Sequence, residues 1–368
     1  MREPGLLAAA YRRWQGEPLG LATVVRTRGS AYRRPGARML IRSAEERAGA
    51  ISGGCLEQDV CARALSGERL PALVEYNTAD EADLLFGTSL GCEGVIEVLI
   101  ERLEPGAASA AELFGFFEAQ ASSRKCASLA TVFEVSGTSA ARPGDRLWLG
   151  SGGEVGGPLA PGPARETLAA ALAAAGGTRV ASIELEGGRF SALVERLEPP
   201  LRLLVFGAGA DAPPLVRLGR ELGWSVVVAD RRPAQARAER FPEAEEVLAA
   251  PVAELAALAA PDARSAAVLM THNYLDDREL LLALLASEAP YLALLGPKKR
   301  SERLLAELAA DGFPLTEADR ARLHAPAGLD LGAETPEQVA LAIVAEIQAC
   351  FAGRSGGSLR SRAGSIHS

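Results

Sequence analysis

Long apolar runs, histidines and cysteines are scarce in this sequence of 368 residues. No run of about 18 apolar residues occurs, and Met1–Pro4 leads into no apolar signal core. We therefore expect a cytoplasmic protein with no membrane partner. The five cysteines are sparse and odd in number, and they form neither Cys-x-x-Cys nor a Cys/His zinc pattern. A disulfide framework and a structural zinc site are not expected.

An excess of basic residues is also absent. Lys and Arg number 39 against 47 Asp and Glu, which gives a net charge of −8. This charge disfavours general binding to nucleic acid, so no nucleic-acid partner is expected. Hydrophobic residues make up 48% and charged residues 23%, the balance of a globular protein. The length indicates more than one domain, since domains usually hold ~100–200 residues.

The first half of the chain contains an internal repeat. Three motifs each occur twice: Leu-Ala-Thr-Val at 21–24 and 129–132, Arg-Pro-Gly at 34–36 and 142–144, and Glu-Arg-Leu-Glu-Pro at 101–105 and 195–199. The first two pairs share an offset of 108 residues, as between Leu21 and Leu129. We predict an internally duplicated α+β domain over residues 1–199, with units at about 1–105 and 106–199 and hairpin strands in each.

Pro199-Pro200 marks a change of pattern. The apolar run Leu201–Phe206 is followed by a glycine-rich turn, a helical stretch and a second apolar run at Ser225–Ala229, an order typical of parallel sheets with crossover helices. A Thr-Pro-Glu-Gln motif at 335–338 predicts a final helix. The prediction is an α/β protein with a Rossmann-like, doubly wound domain at 200–352 and a basic Gly/Ser tail at 353–368.

The turn after the first of these strands fits a dinucleotide-binding motif. Gly207 and Gly209 begin the run Gly-Ala-Gly-Ala-Asp-Ala, and Asp230 ends the next predicted strand. Small residues let the backbone approach a phosphate, and Asp230 would accept a hydrogen bond from a ribose hydroxyl. The Asp211 carboxylate and the two prolines after it oppose a pyrophosphate. Binding of NAD(P) or another nucleotide and a purely structural turn both stay open.

Two further segments are expected at the same edge of the sheet. His272 follows the predicted strand Ala266–Met270, and Lys298 follows the predicted strand Tyr291–Leu294. Because the carboxyl ends of parallel strands share one edge, both residues should line the ligand crevice. Lys298 and the two basic residues after it would contact an anion, although a solvated helix face explains the same charges.

Six arginines cluster within 17 residues of this acidic protein: Arg26, Arg28, Arg33, Arg34, Arg38 and Arg42. Guanidinium groups bind phosphate through two parallel hydrogen bonds, so the cluster predicts a site for a small polyanion. We expect Arg33, Arg34 and Arg38 to contact it.

Two cysteines lie in glycine-flanked turns of the first repeat unit. Cys55 lies in Ser-Gly-Gly-Cys-Leu-Glu at 52–57 before a predicted helix, and Cys92 lies in Leu-Gly-Cys-Glu-Gly at 90–94. A thiol at a helix N-terminus is favoured as thiolate, the form that attacks electrophiles and binds soft metals. The second unit has Pro163 at the position of Cys55 and no Leu-Gly-Cys turn. We predict functional thiols here, with buried structural cysteines as the alternative.

These segments together resemble the XdhC/CoxI family, whose members are accessory proteins for molybdenum hydroxylases such as xanthine dehydrogenase. The resemblance is carried by residues 29–39, 52–57, 90–92, 206–209 and 328–336. Many members have a histidine after the second glycine of the Rossmann turn, where this chain has Ala210. A role of that histidine therefore does not carry over to this chain.

The resemblance implies a homodimeric chaperone without turnover of its own. Such a protein binds molybdopterin, the molybdenum cofactor, and protects it while a cysteine desulfurase adds a terminal sulfido ligand. It then delivers the cofactor to the large subunit of an apo molybdenum hydroxylase. On this interpretation the Cys55 thiol meets the molybdenum of the bound cofactor, because soft metals prefer sulfur. The other cofactor-binding residues would be Ser52, Gly53, Gly54, Glu57 and Cys92.

Two alternatives remain at this point. An NAD(P)-dependent oxidoreductase would bind its cofactor at the glycine turn and use His272 or Cys55 on substrate. A nucleotide-responsive regulatory protein would bind its ligand in the Rossmann half without turnover.

Overall fold

The computed structural model describes residues 3–66, 69–77 and 94–362 of the chain. The chain divides into two compact units, residues 2–199 and residues 200–368. Within the described residues, no helix combines the length and the apolarity that a membrane crossing requires.

The first unit contains two five-stranded antiparallel sheets with the same strand order. The first half consists of α1 (Glu3–Trp14), β1 (Leu19–Gly29), β2 (Arg38–Ile41), β3 (Arg47–Gly49), α2 (Glu57–Leu65), β4 (Ala72–Asn77) and β5 (Gly94–Leu103). The second half consists of α3 (Ala108–Ser122), β6 (Ala127–Gly137), β7 (Arg146–Leu149), β8 (Val155–Gly156), α4 (Pro163–Ala173), β9 (Arg179–Leu185) and β10 (Gly188–Leu197). The orders β3-β2-β1-β5-β4 and β8-β7-β6-β10-β9 match strand for strand, which confirms the predicted duplication.

Matching bulges pack the two halves against each other. The pairing of β1 with β5 passes over Val25, and the pairing of β6 with β10 passes over Phe133. A bulge changes the direction of a side chain relative to the regular alternation of a strand. Both side chains are buried in one apolar cluster with Leu99 of β5 and Leu193 of β10. The same irregularity in each copy therefore supplies half of this central cluster.

The second unit is a six-stranded parallel sheet in the order β13-β12-β11-β14-β15-β16. Its strands are β11 (Arg202–Phe206), β12 (Ser225–Asp230), β13 (Glu246–Ala249), β14 (Ser265–Leu269), β15 (Tyr291–Leu294) and β16 (Leu323–His324). Its helices are α5 (Ala212–Glu221), α6 (Val252–Ala259), α7 (Tyr274–Leu285), α8 (Lys298–Ala310), α9 (Glu317–Arg322) and α10 (Pro336–Phe351). This is the 3-2-1-4-5-6 order of the Rossmann fold, so the ligand crevice lies between the carboxyl ends of β11 and β14.

The strands of this sheet alternate between two apolar layers. Leu203 and Val205 lie in the layer that α5 and α10 cover, whereas Leu204 and Phe206 lie in the layer that α6, α7 and α8 cover. Strands covered on both faces are continuous apolar runs, which is why the sequence predicts them well. The capping box of α10 begins at Thr335, as the sequence also predicts.

Candidate functional site

The turn at residues 52–55 is organised by the hydroxyl oxygen of Ser52. This oxygen accepts hydrogen bonds from the backbone N–H groups of Gly54 and Leu56, both at 3.2 Å, and from the thiol of Cys55 at 3.3 Å. Ser52 is buried, whereas Cys55 is half-buried. Since α2 begins at Glu57, the thiol lies two residues before the helix and not in its first turn.

Glu57 holds this turn from the helix side. One carboxylate oxygen accepts from the N–H of Ser52 at 2.8 Å, and the other accepts from the Ser52 hydroxyl. Burial alone would raise the pKa of Glu57, but these hydrogen bonds bring the pKa below the ordinary glutamate value. Ser52 and Glu57 are thus buried and bonded to each other. The atoms of the turn that remain for a ligand belong to Gly53, Gly54 and Cys55.

Tyr32 lies beside the turn and is 67% exposed. Its ring carbons are 3.8 Å from the place that a Cβ on Gly53 would take. At Gly54 φ is +115°, and a Cβ there would meet no atom within 4 Å. We call Tyr32 and residues 52–55 together the thiol turn: an exposed ring, open glycine backbone and a thiol. The sequence signal for Tyr32 was its place in the Gly29–Met39 motif of a chain with only 5% aromatic residues.

Five of the six clustered arginines form ion pairs inside the first unit. The pairs are Arg26 with Glu97 (2.8 Å), Arg28 with Glu75 (2.6 Å), Arg33 with Glu3, Arg38 with Glu195, and Arg42 with Glu17 (2.6 Å). Arg34 lies exposed on the loop between β1 and β2, and it too is not without a partner in the protein. Because glutamates of the same unit already neutralise most of these guanidinium groups, the cluster is not the open polyanion site that the sequence suggests.

Arg38 belongs to one of two equivalent buried ion pairs. Its Nη1 donates to Oε1 of Glu195 at 3.1 Å, and Nη2 completes a two-point contact. Arg146, which is related to Arg38 by the repeat, makes the same contact with Glu101 at 3.1 Å. Each arginine therefore binds the Glu-Arg-Leu-Glu-Pro motif of the other copy. The predicted ligand contact of Arg38 is corrected to a structural one, because its side chain is only 3% exposed.

The glycine turn of the second unit joins β11 to α5. At Gly207 φ is +120°, and a Cβ would collide with the carbonyl of Met270, so the close backbone approach requires glycine. Asp230 accepts from the N–H of Ala208 at 2.7 Å and from three N–H groups of Arg232 at 2.8, 2.9 and 2.7 Å. Burial would raise the pKa of Asp230, but these bonds lower it. The carboxylate is fully engaged, so the predicted bond from a ribose hydroxyl finds no free acceptor here.

His272 lies at the crevice between β11 and β14. Its φ of +58° is unusual for a residue with a side chain and marks local backbone strain. Its Nε2 is 3.1 Å from Oδ2 of Asp211, and its ring lies 3.5 Å from the place of a Cβ on Gly209. The structure therefore brings two predicted site residues, His272 and Gly209, together. The His272 contact engages the Asp211 carboxylate, which would otherwise repel a phosphate at the turn.

Sequence reasoning missed Asp277, which is fully buried in α7. Its carboxylate accepts from the hydroxyl of Thr271 at 2.6 Å and from Nη2 of Arg300 at 2.6 Å. Arg300 is thus a structural link between α8 and α7. Lys298, the first residue of α8, has a side chain that is 76% exposed, with Glu302 at 3.9 Å. The available signal for Asp277 was a carboxylate in the first helical turn after a strand end.

The remaining thiols have different surroundings. Cys61 on α2 is buried, and burial raises its pKa; burial also raises the pKa of Cys350. Cys126 is half-buried, with Nη2 of Arg196 at 3.2 Å from its sulfur. Cys92 lies outside the described residues, so its role stays a prediction. Within those residues, no group of three or more His, Cys, Asp or Glu side chains is placed to hold a metal ion.

Two family profiles match the chain, one for each unit. The profile described as the XdhC Rossmann domain matches residues 203–347, and the profile of the XdhC and CoxI family matches residues 13–77. The chain is also 32% identical over 161 residues to the "Uncharacterized protein YqeB" of Escherichia coli (strain K12), a match that covers 44% of this chain and 29% of that protein.

Two longer matches span nearly the whole chain. A crystal structure described as a xanthine dehydrogenase from Bacillus halodurans has a TM-score of 0.77 and 28% identity, and the match covers 98% of this chain and 99% of that one. A protein of Bacillus subtilis (strain 168) that is described as a probable xanthine dehydrogenase subunit is 32% identical over 330 residues, which are 89% of this chain and 91% of that protein. With both units matched in sequence and fold, the chain belongs to the XdhC/CoxI family.

Proposed function

We propose that this protein is an accessory factor of a xanthine dehydrogenase-type molybdenum hydroxylase. It binds the molybdenum cofactor as cargo, protects it during sulfuration and delivers it to the apoenzyme. The family membership and the xanthine dehydrogenase names of its relatives support the accessory role. A cysteine desulfurase and the apoenzyme are the partners that this proposal requires, and it places the exchange in the cytoplasm on a homodimer.

The observation that carries the proposal is the surface of the thiol turn. The Cys55 thiol is half-exposed, and it follows glycine backbone at Gly54 that no side chain covers. Thiolate sulfur suits a soft metal that is itself bound by a dithiolene. The buried Ser52–Glu57 hydrogen bonds fix this thiol, so the turn is organised before cargo arrives.

Tyr32 gives the cargo a second contact in this proposal. Its exposed ring lies over Gly53, where a flat pterin could stack against one face. Stacking of a heteroaromatic ring on a tyrosine stabilises binding by ~1–3 kcal/mol per ring in comparable sites. Most of the clustered arginines already form ion pairs, so they are less available to bind the phosphate of the cargo than the sequence suggests. Arg34, exposed on the same loop as Tyr32, stays the predicted phosphate contact.

The experiment is native purification from a molybdenum-replete host, followed by molybdenum and pterin analysis of the protein and an activation assay with apo xanthine dehydrogenase. We expect Cys55→Ala to lose most of the bound molybdenum and most of the activation. Tyr32→Ala should lose about tenfold in pterin affinity, whereas Tyr32→Phe should stay near wild type. Cys126→Ala, which removes a half-buried thiol from the other copy, is the matched control.

Wild-type cofactor content and activation in Cys55→Ala, with a normally folded protein by circular dichroism, would contradict the proposal. Equal losses in Cys55→Ala and Cys126→Ala would also contradict it, because the thiol turn would then have no special role.

A further inference from the structure

A cavity of about 590 Å³ opens at the carboxyl ends of β12 and β13, away from the residues that the function above uses. Its lining consists of Arg231, Pro233, Ala249, Ala250, Pro251, Val252, Ala253 and Glu279. The volume is in the range of small-molecule sites, and the lining is mostly apolar with one cation and one carboxylate. Such a composition suits a flat, mostly apolar ring that carries a few polar atoms.

The strand order places this cavity at the nucleoside side of the crevice. In a 3-2-1-4-5-6 sheet, a dinucleotide lies across the first and fourth strands, and its ribose lies at the end of the second strand. The second strand here is β12, which ends at Asp230. Asp230 contacts the glycine turn through the N–H of Ala208, and Arg231 at the cavity follows it directly. A base beyond that ribose would therefore lie in the cavity.

The residues at the end of β12 argue against recognition of an unmodified ribose. The Asp230 carboxylate accepts four hydrogen bonds, one from Ala208 and three from Arg232. A carboxylate has about four lone-pair sites, so Asp230 has no capacity left for a ribose 2′-hydroxyl. A sheet of this kind recognises either that hydroxyl by a free acidic residue or a 2′-phosphate by a nearby arginine.

Arg231 meets the requirement for a phosphate. Its side chain is 47% exposed, and its Nε donates to Oδ2 of Asp276 at 2.6 Å. That bond fixes the guanidinium through Nε, Arg231 lines the cavity, and the contacts described for its side chain do not use the two terminal nitrogens. Arginine binds phosphate oxygens with paired, charge-assisted hydrogen bonds, which is the geometry a ribose phosphate offers.

We propose that this cavity binds the adenosine end of a nucleotide that carries a phosphate on its ribose 2′ oxygen, as NADPH does. The adenine ring packs among the alanines and Pro251, and Glu279 accepts from its amino group. Arg231 binds the 2′-phosphate. This inference goes beyond the proposed function, since it concerns another ligand in the other unit of the chain. It assigns binding alone and no hydride transfer.

The test is calorimetric titration of the full-length protein with NADPH, NADH, 2′,5′-ADP and coenzyme A. NADPH and 2′,5′-ADP should bind at least about tenfold more tightly than NADH, because only they offer the charge-assisted bonds to Arg231. Coenzyme A carries its ribose phosphate at the 3′ position and should bind more weakly than either. Binding of 2′,5′-ADP distinguishes recognition of the nucleoside end from recognition of the whole dinucleotide.

Four variants locate the site. Arg231→Gln should weaken NADPH binding by roughly 10- to 100-fold and leave NADH binding nearly unchanged. Ala253→Leu should fill the cavity and lower the affinity for all four nucleotides. Ala257 is exposed, lies one turn further along α6 and is outside the lining, so the Ala257→Leu protein should bind these nucleotides as the wild type does. Cys55→Ala should leave nucleotide affinity unchanged, which separates this inference from the chaperone proposal.

Equal affinity for NADPH and NADH would overturn the inference, and so would the absence of binding by any of these nucleotides. Unchanged NADPH binding in a correctly folded Ala253→Leu protein would place the ligand elsewhere and would also overturn it.

Discussion

The two copies in the first unit share one framework and differ in one segment. Their sheets have the same strand order, their central bulges lie at Val25 and Phe133, and their buried ion pairs are reciprocal. The difference lies after the third strand of each sheet. The first copy has residues 52–55 of the thiol turn there, and the second copy has a segment rich in glycine and proline at 156–163.

The helices that follow these segments show how the difference is built. Glu57 and Arg165 are separated by the 108-residue offset of the repeat and lie in the first turns of α2 and α4, and both contact the preceding segment. Glu57 accepts from the N–H of Ser52, whereas Arg165 donates to the carbonyls of Gly157 at 3.0 Å and Leu159 at 2.6 Å. The first turn of each helix therefore holds a different loop: Glu57 binds backbone N–H, and Arg165 binds backbone carbonyls. The framework provides stability in both copies, and the loop provides the thiol in one.

The largest effect is expected from the shared framework. Arg38→Met leaves the Glu195 carboxylate buried without its partner, and Arg146→Met does the same to Glu101. Each change should lower the free energy of unfolding by about 3–5 kcal/mol, as measured by urea denaturation. Nearly equal losses would show that the two ion pairs contribute alike to stability. Clearly unequal losses would show that the two copies are not equivalent in stability.

Two controls accompany this measurement. The double variant Arg38→Met/Glu195→Met removes both charges and should recover most of the loss, because no buried charge then lacks a partner. Arg102→Met breaks an exposed pair with Glu104 and should cost less than about 1 kcal/mol. A loss of that small size in Arg38→Met would refute the assignment of the buried pair as a structural element.

A smaller effect on the free energy of unfolding, with a different pH dependence in each copy, is expected in the first turns of α2 and α4. Glu57→Gln and Arg165→Met should each lower the free energy of unfolding by about 1–3 kcal/mol at neutral pH. The pKa of Glu57 is lowered in the folded protein, so its stabilisation is complete above the unfolded glutamate value of about 4.3 and is lost as pH falls below it. The gap between wild type and Glu57→Gln should therefore shrink in acid.

The same titration of Arg165→Met is the control. Arginine does not titrate in this range, so loss of Arg165 should cost the same free energy throughout the titration once the wild-type acid sensitivity is subtracted. If the Glu57→Gln gap stays constant down to about pH 3, the carboxylate is not the group that stabilises the thiol turn.

The parts of the fold that the sequence predicts are those with local or repeated signals. Buried parallel strands are continuous apolar runs, and the duplication shows in motifs such as Arg-Pro-Gly at 34–36 and 142–144. The arginine cluster suggested an open site for a polyanion because the partners of these arginines are far along the chain: Arg26 pairs with Glu97 and Arg38 with Glu195. The glutamates that pair with Arg38 and Arg146 lie in the repeated Glu-Arg-Leu-Glu-Pro motif. Only the fold shows that each arginine pairs with the motif of the other copy.

The candidate sites follow the same rule. The segment around Cys55 was predicted because glycines and a cysteine are adjacent in sequence. The hydrogen bonds between Ser52 and Glu57 that hold this segment depend on where the two side chains point, which the sequence does not show. The fit of the glycine turn to a dinucleotide motif could not show that Arg232 and Ala208 already engage Asp230. The cavity beside Arg231 combines residues from β13, α6 and α7, so no single stretch of sequence predicts it.

The smallest effect on stability is expected from alanine substitutions at Gly54 and Gly162, and these substitutions distinguish a loss of stability from a loss of cargo binding. Gly54 and Gly162 are 108 residues apart, which is the offset of the repeat. They have φ values of +115° and +139°, and each has open space where a Cβ would lie. Replacing either by alanine should cost about 1–2 kcal/mol of unfolding free energy, because the strain comes from the backbone and not from a clash. Only Gly54→Ala changes the thiol turn, so only that variant should also lose bound molybdenum and pterin. If Gly162→Ala loses them to the same extent, strain anywhere in the unit releases the cargo, and the two copies do not divide stability and binding between them.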